Sequence, residues 1–178
     1  MSLGEQNKAA LRAMAHPVRL RIMSLLTAAP MTAAEVAREL GLTHANASYH
    51  LRNLLSGGLI FVEGEEKIRG GIAKRYRYDV ARDREHRLSS GPLSDEQLRA
   101  EFAAFAHELI RRTRDANFPP SSKVLADAEL WVDPEKWAEL RNRISEALVE
   151  LHNVAQPPRT PGTIRTSTTA AMFEMESE

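Results

Sequence analysis

The chain has 178 residues, a length that accommodates one domain or two small ones. It contains 24 basic residues, 24 acidic residues and no cysteine, which excludes disulfide scaffolds, cysteine-ligated zinc and thiol nucleophiles. Its longest uncharged stretch, Ile22 to Ala34, has only 13 residues and is interrupted by Pro30. No membrane span or signal peptide is predicted, and we expect a soluble, cytoplasmic protein.

The charges are unevenly distributed along this neutral chain. Residues 1–90 contain 14 Lys and Arg against 9 Asp and Glu, whereas residues 91–178 contain 10 against 15. The first half therefore has a net charge of +5 and the second half one of −5. A basic half favours contact with nucleic acid, although five charges alone are a weak signal.

The first predicted elements are two helices. The first covers residues 5–15, and the second begins at Pro17, a residue suited to the first turn of a helix, and ends at Pro30. His16 is interpreted as the cap of the second helix and not as a metal ligand. The apolar side of this helix carries Val18, Ile22, Leu25 and Leu26 at helical spacing, and its outer side carries Arg19 and Arg21.

Residues 32–55 have the pattern of a helix-turn-helix. The sequence Thr32-Ala33-Ala34-Glu35 is a capping box that begins a short helix, and Gly41 closes this helix four residues after the small Ala37. Thr43 caps the following helix, which ends at Gly57-Gly58. The apolar residues available for the corner between the helices are Val36, Leu40, Leu42, Ala47 and Leu51. An ordinary helical hairpin is the alternative interpretation.

A β-hairpin is predicted directly after the helix-turn-helix. Leu59 to Val62 is a short apolar run with strand character, and Tyr76, Tyr78 and Val80 alternate with charged residues as in a half-buried strand. The polar segment 63–73 contains three glycines and is expected to form the connecting loop. A helix-turn-helix with a hairpin is a winged helix, so the predicted fold is mainly α with a small β-hairpin wing.

The rest of the chain is predicted to be helical or α+β. Residues 81–93 are charged and then rich in Ser, Gly and Pro, which indicates a linker. Ser94 begins a second capping box, a short strand is expected at residues 129–132, and Asp133-Pro134 begins another helix. The apolar stripes of the two helices are Leu98, Phe102, Phe105 and Leu109, and Trp137, Leu140, Ile144, Leu148 and Leu151. In the Pro/Thr-rich tail, residues 164–175 fit either a terminal strand or an unstructured segment.

Three short motifs together resemble the ArsR-type winged-helix repressors. They are Ala-His-Pro-Val-Arg-Leu-Arg-Ile at 15–22, Ala-Ser-Tyr-His-Leu-Arg-Asn-Leu at 47–54 and Gly-Leu-Ile at 58–60. The resemblance covers about residues 5–80 and does not extend to residues 94–178. It implies a dimer whose recognition helix enters the DNA major groove, with the wing over the backbone or minor groove.

Metal sensing, which occurs among ArsR-type proteins, is not predicted for this chain. Thr32 stands where metal-sensing members of the family carry a thiolate. His107 with Glu101 or Glu108 is poorly spaced to imitate a His and carboxylate site. No metal ligand, cofactor or catalytic residue is therefore assigned.

The recognition helix presents one face away from the core by helical geometry. Hydroxyls on this face can bond bases or phosphates, and Arg prefers guanine edges or phosphate. The residues predicted to contact DNA from this face are His44, Ala45, Ser48, Tyr49 and Arg52. The wing is predicted to add phosphate contacts through Arg69, Lys74 and Arg75. A merely solvated surface is the alternative for both sets, and His50 is expected to pack at the core edge with a local hydrogen bond.

These features predict a sequence-specific, dimeric DNA-binding transcriptional regulator, and a repressor in preference to an activator. Residues 1–80 form the predicted DNA-binding domain, and residues 94–178 a region for dimerisation and effector sensing. The predicted dimer interface is Leu98, Phe102, Phe105 and Leu109. The expected partners are an inverted-repeat duplex operator, a second copy of the chain and a small-molecule effector, with no membrane.

Two other functions are disfavoured by the sequence. A winged-helix module that binds protein is disfavoured by the basic first half and by Arg52. An enzyme that acts through the C-terminal region is disfavoured because no nucleophile or acid–base cluster stands out there.

Overall fold

The computed structural model of the protein describes residues 16–68, 70–89, 94–119 and 123–176. Three helices and a two-stranded antiparallel hairpin are followed by three further helices, which confirms the predicted fold class. The helix predicted over residues 5–15 lies outside the described residues. None of the described helices is long and apolar enough to cross a membrane. The elements are α1 (Pro17–Ala28), α2 (Ala33–Leu40), α3 (His44–Ser56), β1 (Phe61–Ile68), β2 (Gly71–Arg77), α4 (Val80–Ser89), α5 (Asp95–Thr113) and α6 (Pro134–Asn153).

Local caps set the boundaries of the first three helices. The Nδ1 atom of His16 accepts a hydrogen bond from a backbone amide in the first turn of α1, at 3.2 Å. Thr32 and Glu35 form the reciprocal capping box of α2, and Gly41 ends that helix with a φ of 66°, which favours glycine. Thr43 caps α3 through its side chain. All of these caps are predicted from the sequence.

The hydrophobic core lies among α1, α2 and α3. The small Ala37 is buried on α2, and this allows α2 and α3 to approach closely. Leu59, Ile60 and Tyr78 add apolar surface from the two ends of the wing. The largest fully buried apolar side chains are Ile22, Leu26, Val36, Leu51 and Leu54, and burial of each contributes about 1.5–3 kcal/mol. Because this core holds one face of α3, the opposite face of α3 points outward.

The wing is a longer hairpin than the sequence predicted. Residues 63–68 and 71–73, expected as a loop, belong to the paired strands β1 and β2, in which 66–68 pair with 71–73. Charged side chains on a two-stranded hairpin can point to solvent while the backbone groups pair, so their polarity did not exclude strands. Met31 and Tyr76 exchange backbone hydrogen bonds of 2.9 and 3.0 Å, which attaches the base of the wing to the segment before α2. Tyr78 leaves the sheet and packs in the core, and Val80 begins α4 instead of ending a strand.

Two segments after the wing differ from the prediction, and a third is one for which the sequence left two alternatives open. Most of the predicted linker forms α4, whose first turn is capped by Asp79 through hydrogen bonds of 2.8 and 3.1 Å to backbone amides. The strand expected at residues 129–132 is absent, and no described strand lies beside this segment to pair with it. Residues 163–176 adopt neither helix nor strand, and the Phe173 ring lies 5.5 Å from that of Phe102.

The two long C-terminal helices pack against the winged helix. Helix α5 contacts α1, and α6 contacts both α1 and α4. The buried face of α5 is largely polar, because it carries Glu101, Ala104 and Glu108. Glu108 is 1% exposed and pairs with Arg111 at 3.0 Å and with Arg112 at 3.6 Å. The burial of these two carboxylates was not predicted from the sequence, where they stood only as rejected metal ligands.

The predicted apolar stripe of α5 is divided between two environments. Phe105 is partly buried against the core of its own winged helix. Leu98, Phe102 and Leu109 are 38%, 42% and 46% exposed. Helix α6 buries none of its residues fully, so its predicted apolar stripe does not form a closed core within the chain.

Candidate nucleic-acid interface

Helix α3 has one buried face and one open face. The buried residues are Ala47, His50, Leu51 and Leu54. The five residues predicted to contact DNA lie on the other face: His44, Ala45, Tyr49 and Arg52 are exposed, and Ser48 is half-buried. An exposed helix face that projects from a compact helix-turn-helix has the shape needed to enter a major groove. Contact of these residues with DNA stays a prediction.

The open face of α3 carries hydrogen-bonding groups that suit base edges and phosphates. Tyr49 is 53% exposed. The Nε atom of Arg52 donates to the backbone carbonyl of Ser48 at 3.3 Å, an arrangement that directs the guanidinium along the helix surface. Asn46, in the first turn of α3, is also exposed and was missed by sequence analysis. Its position in the first turn of α3 was the signal that could have identified it, because an Asn side chain can form two hydrogen bonds with the edge of adenine.

A buried arginine from α1 lies behind the open face of α3. Arg19, predicted on the outer side of α1, is only 8% exposed. Its Nε atom donates to Nδ1 of His50 at 3.4 Å, and its guanidinium lies close enough to the Tyr49 side chain for the two to interact. The ring centroid of His50 lies 4.8 Å from that of His16 and 5.4 Å from that of Tyr49. The four side chains therefore form one cluster that joins α1 to α3.

This cluster holds one cation and two neutral imidazoles at neutral pH. Burial lowers the pKa of His50, and the nearby His16 and Arg19 lower it further. Burial and the charge of Arg19 also lower the pKa of His16. Burial lowers the pKa of Arg19, and the electrostatic interaction with Tyr49 acts in the opposite direction. The guanidinium stays charged because its ordinary pKa is far above neutral pH.

The two described cations that were predicted to contact DNA from the wing have different environments. Lys74 is exposed on β2 and pairs in register with Glu65 of β1. Arg75 is half-buried, and its Nη1 atom lies 2.7 Å from a carboxylate oxygen of Glu66 and 3.4 Å from one of Glu35. Its Nη2 atom donates to the backbone carbonyl of Pro30 at 2.6 Å. The third predicted cation, Arg69, lies outside the described residues.

The contacts of Arg75 fasten the wing to the start of α2. The hydrogen bond with Glu66 is the main cause of the raised pKa of Arg75, and the charge of Glu35 adds to it. Glu35 is also the carboxylate of the α2 capping box. One side chain thus connects β1, β2 and the segment before the helix-turn-helix, and both of its Nη atoms have partners within the chain.

No metal site is visible around these elements. Within residues 16–68, 70–89, 94–119 and 123–176, no group of three or more His, Asp or Glu is placed to hold a metal ion. The Thr32 hydroxyl, at the position compared above with a thiolate, lies 3.0 Å from a carboxylate oxygen of Glu35.

Comparison with known proteins agrees with this geometry over the first part of the chain. A family model described as a helix-turn-helix domain matches residues 14–63, which include α1, α2, α3 and the start of β1. Over residues 14–63 the chain is therefore similar to a helix-turn-helix domain. In such a domain, the second helix of the motif is the one that enters the major groove, and here it is α3.

Beyond this domain the comparisons are sparse. One solved structure similar to the chain is a possible transcriptional regulatory protein (fragment 1–100) from Mycobacterium bovis. It is 26% identical, covers 49% of this chain and 89% of its own, and superposes with a TM-score of 0.40. No curated protein matches the chain.

Proposed function

We propose that the protein is a sequence-specific DNA-binding transcriptional regulator of the ArsR type that acts as a dimeric repressor. The observation that carries this proposal is the open polar face of α3, held outward by the core of a helix-turn-helix domain. Repression follows mechanically, because a dimer bound at a promoter occupies DNA that the transcription machinery needs.

Two parts of the domain have different roles in this proposal. Ser48, Tyr49 and Arg52 read bases from α3, and each good base contact contributes about 1–3 kcal/mol of discrimination. Lys74 on the wing contacts phosphate, a contact that adds affinity for every sequence and weakens as salt rises. Sequence preference should therefore depend on α3, and general affinity on both elements.

The apolar surface of α5 supports the dimer. Leu98, Phe102 and Leu109 are each more than one-third exposed, although they lie on one helix at a spacing that favours a helix–helix seam. A two-fold interface through this surface brings together two copies of the same patch. We therefore assign DNA binding to residues 1–80, and dimerisation together with any effector response to residues 94–178.

A protein-interaction module is the second candidate function. Ile68 and Ile72, next to the turn of the wing, are 51% and 65% exposed, and apolar side chains of this kind also suit a protein partner. The two candidates differ in their response to salt, because only DNA binding releases a large number of counterions from phosphates.

The experiment that tests the proposal is a titration of labelled random-sequence duplex with the full chain at several salt concentrations. DNA binding predicts that the logarithm of affinity falls linearly and steeply with the logarithm of salt concentration. K74M should make this slope shallower by about one unit, whereas S48A should leave the slope unchanged. No detectable binding at low salt, or binding that does not respond to salt, would contradict the proposal.

A further inference from the structure

We infer that Arg19 and His50 are positioning residues for DNA reading, which hold the Tyr49 side chain in the orientation that the preferred DNA site recognises. The inference rests on the proposed function and assigns a role to two residues that are not on the DNA-facing surface. Its basis is the side-chain cluster that joins α1 to α3.

The burial of Arg19 is the first step of the argument. A buried guanidinium is costly unless its donors are bonded, and an apolar residue would fill the same place in α1 without that cost. Arg19 is 8% exposed, and its partners include both His50 and Tyr49 on α3. His50 is buried, whereas Tyr49 is 53% exposed on the open face of α3. Tyr49 therefore links the buried Arg19 of α1 to the surface proposed to read DNA.

The geometry of Tyr49 is the second step. Its ring meets the ring of His50 edge-on, with an interplanar angle of 68° and a centroid distance of 5.4 Å. Its side chain also interacts with the Arg19 guanidinium, so the phenol is in contact with both buried residues behind it. An exposed tyrosine without such contacts would lose rotamer freedom when it bound DNA, and prior ordering avoids that loss.

The role of His50 is to hold Arg19 in place. Its Nδ1 atom accepts from Nε of Arg19, and this fixes the plane of the guanidinium relative to α3. A glutamine at this position keeps an oxygen acceptor, whereas a leucine of similar size does not. The two substitutions therefore separate the hydrogen bond from the packing of the side chain.

The test measures the ratio of affinities for a duplex selected by the wild-type chain and for random-sequence duplex. Y49F removes the hydroxyl, and R19M removes the donors but keeps most of the aliphatic stem. Each should lower this ratio about tenfold, because each removes the interaction between the guanidinium and the phenol. The double variant R19M/Y49F should lower it no further than either single variant, because both changes remove the same contact. H50L should lower the ratio similarly, and H50Q should restore most of it.

Arg21 provides the matched control. The variant R21M removes the same charge from the same helix. Among the described residues, Arg21 has no hydrogen bond, ion pair or ring contact with α3. R21M should leave the ratio unchanged. An R19M ratio equal to that of R21M, or additive effects of R19M and Y49F, would overturn the inference. Should R19M fail to fold, equal ratios for H50Q and H50L would overturn it instead. A wild-type chain that selects no preferred duplex would overturn the proposed function as well.

Discussion

Two histidines of the winged helix, His16 and His50, are expected to make its folding stability sensitive to pH. His16 caps α1, and His50 lies 8% exposed between His16 and Arg19. The pKa values of both histidines are lowered in the folded chain, mainly by burial. A protonated ring at either position would bring a second cation close to the Arg19 guanidinium. The folded state therefore favours the neutral form of both rings.

We predict that folding stability decreases as the pH falls through and below the ordinary histidine pKa of about 6.5. Below that pH the unfolded chain binds protons that the folded chain resists, so the stability present above it is progressively lost. The variant H16N/H50Q keeps a capping side chain and an acceptor but cannot titrate at these positions. Urea unfolding at pH values of about 7.5 and about 5.5 should show a smaller loss for this variant than for the wild type. An equal loss in both proteins would contradict the prediction.

The range of a hydrogen bond along the chain decides whether a residue's role could be predicted. The caps formed by His16, Thr32 and Thr43 join atoms two or three residues apart, so the local sequence was sufficient to predict them. The bond from Arg19 to His50 spans 31 residues, and that from Arg75 to Pro30 spans 45. Such contacts depend on how the helices pack, which the spacing of residue types does not determine.

At the scale of elements, the contact between the wing and α2 helps to set the position of the wing. Arg75 bonds to Glu66, to Glu35 and to the Pro30 carbonyl, and the guanidinium side chain is 29% exposed. The wing would otherwise be held at its base by the Met31 bridge and by Tyr78 in the core. Its angle relative to α3 therefore depends in part on one side chain.

We predict that substitutions of two neighbouring wing residues affect different properties, folding stability for Arg75 and the salt dependence of DNA binding for Lys74. R75M should lower the free energy of unfolding by about 1 kcal/mol, because it removes charge-assisted hydrogen bonds that are partly screened by solvent. K74M, next to it on β2, should leave this free energy unchanged and should reduce the salt dependence of DNA affinity. Urea unfolding of both variants measures their stability, and titrations of DNA at several salt concentrations measure the salt dependence of their affinity. An R75M variant with unchanged stability and a shallower salt slope would show that Arg75 contacts phosphate, as the sequence suggested.

Elements with a local signal were predicted well, and those held by tertiary contacts were not. Helix α4 is the clearest case, because Val80–Ser89 is strongly charged and lacks an apolar stripe. In the structure the Tyr78 hydroxyl donates to Asp83 at 3.1 Å, and the Arg82 guanidinium lies 4.6 Å above the Phe61 ring. These partners come from the wing, so the helix depends on elements outside its own sequence.

At the scale of the whole molecule, the two halves of the chain differ in how much of their apolar surface is covered. The winged helix buries a continuous core, whereas α5 buries only Ala104 among its apolar residues and α6 buries none fully. Helices of this kind are stabilised mainly by packing of an apolar face. The predicted dimer would supply that packing for the exposed part of the α5 stripe.

We predict that F102A/L109A shifts the protein from dimer to monomer and leaves the winged helix folded. Both side chains are more than one-third exposed in the single chain, so their truncation costs little within it. F105A is the contrasting variant, since Phe105 packs on its own core. It should lower the free energy of unfolding by about 2–3 kcal/mol, somewhat less than a fully buried Phe.

Sedimentation of the purified variants and their urea unfolding distinguish these outcomes. A double variant F102A/L109A that stays fully dimeric would place the dimer interface elsewhere. Loss of operator affinity should accompany loss of the dimer, because one half-site offers too few contacts.

Selection of bound duplexes from a random DNA pool by the full chain is the most direct test of the central claim, that a dimer reads DNA through α3. The account predicts enrichment of an inverted repeat whose half-site centres lie about 34 Å apart, roughly one helical turn, or a multiple of it. The same selection with a chain that carries S48A and Y49F should return a weaker or altered repeat. Enrichment of no sequence, or of a single site without two-fold symmetry, would contradict the account.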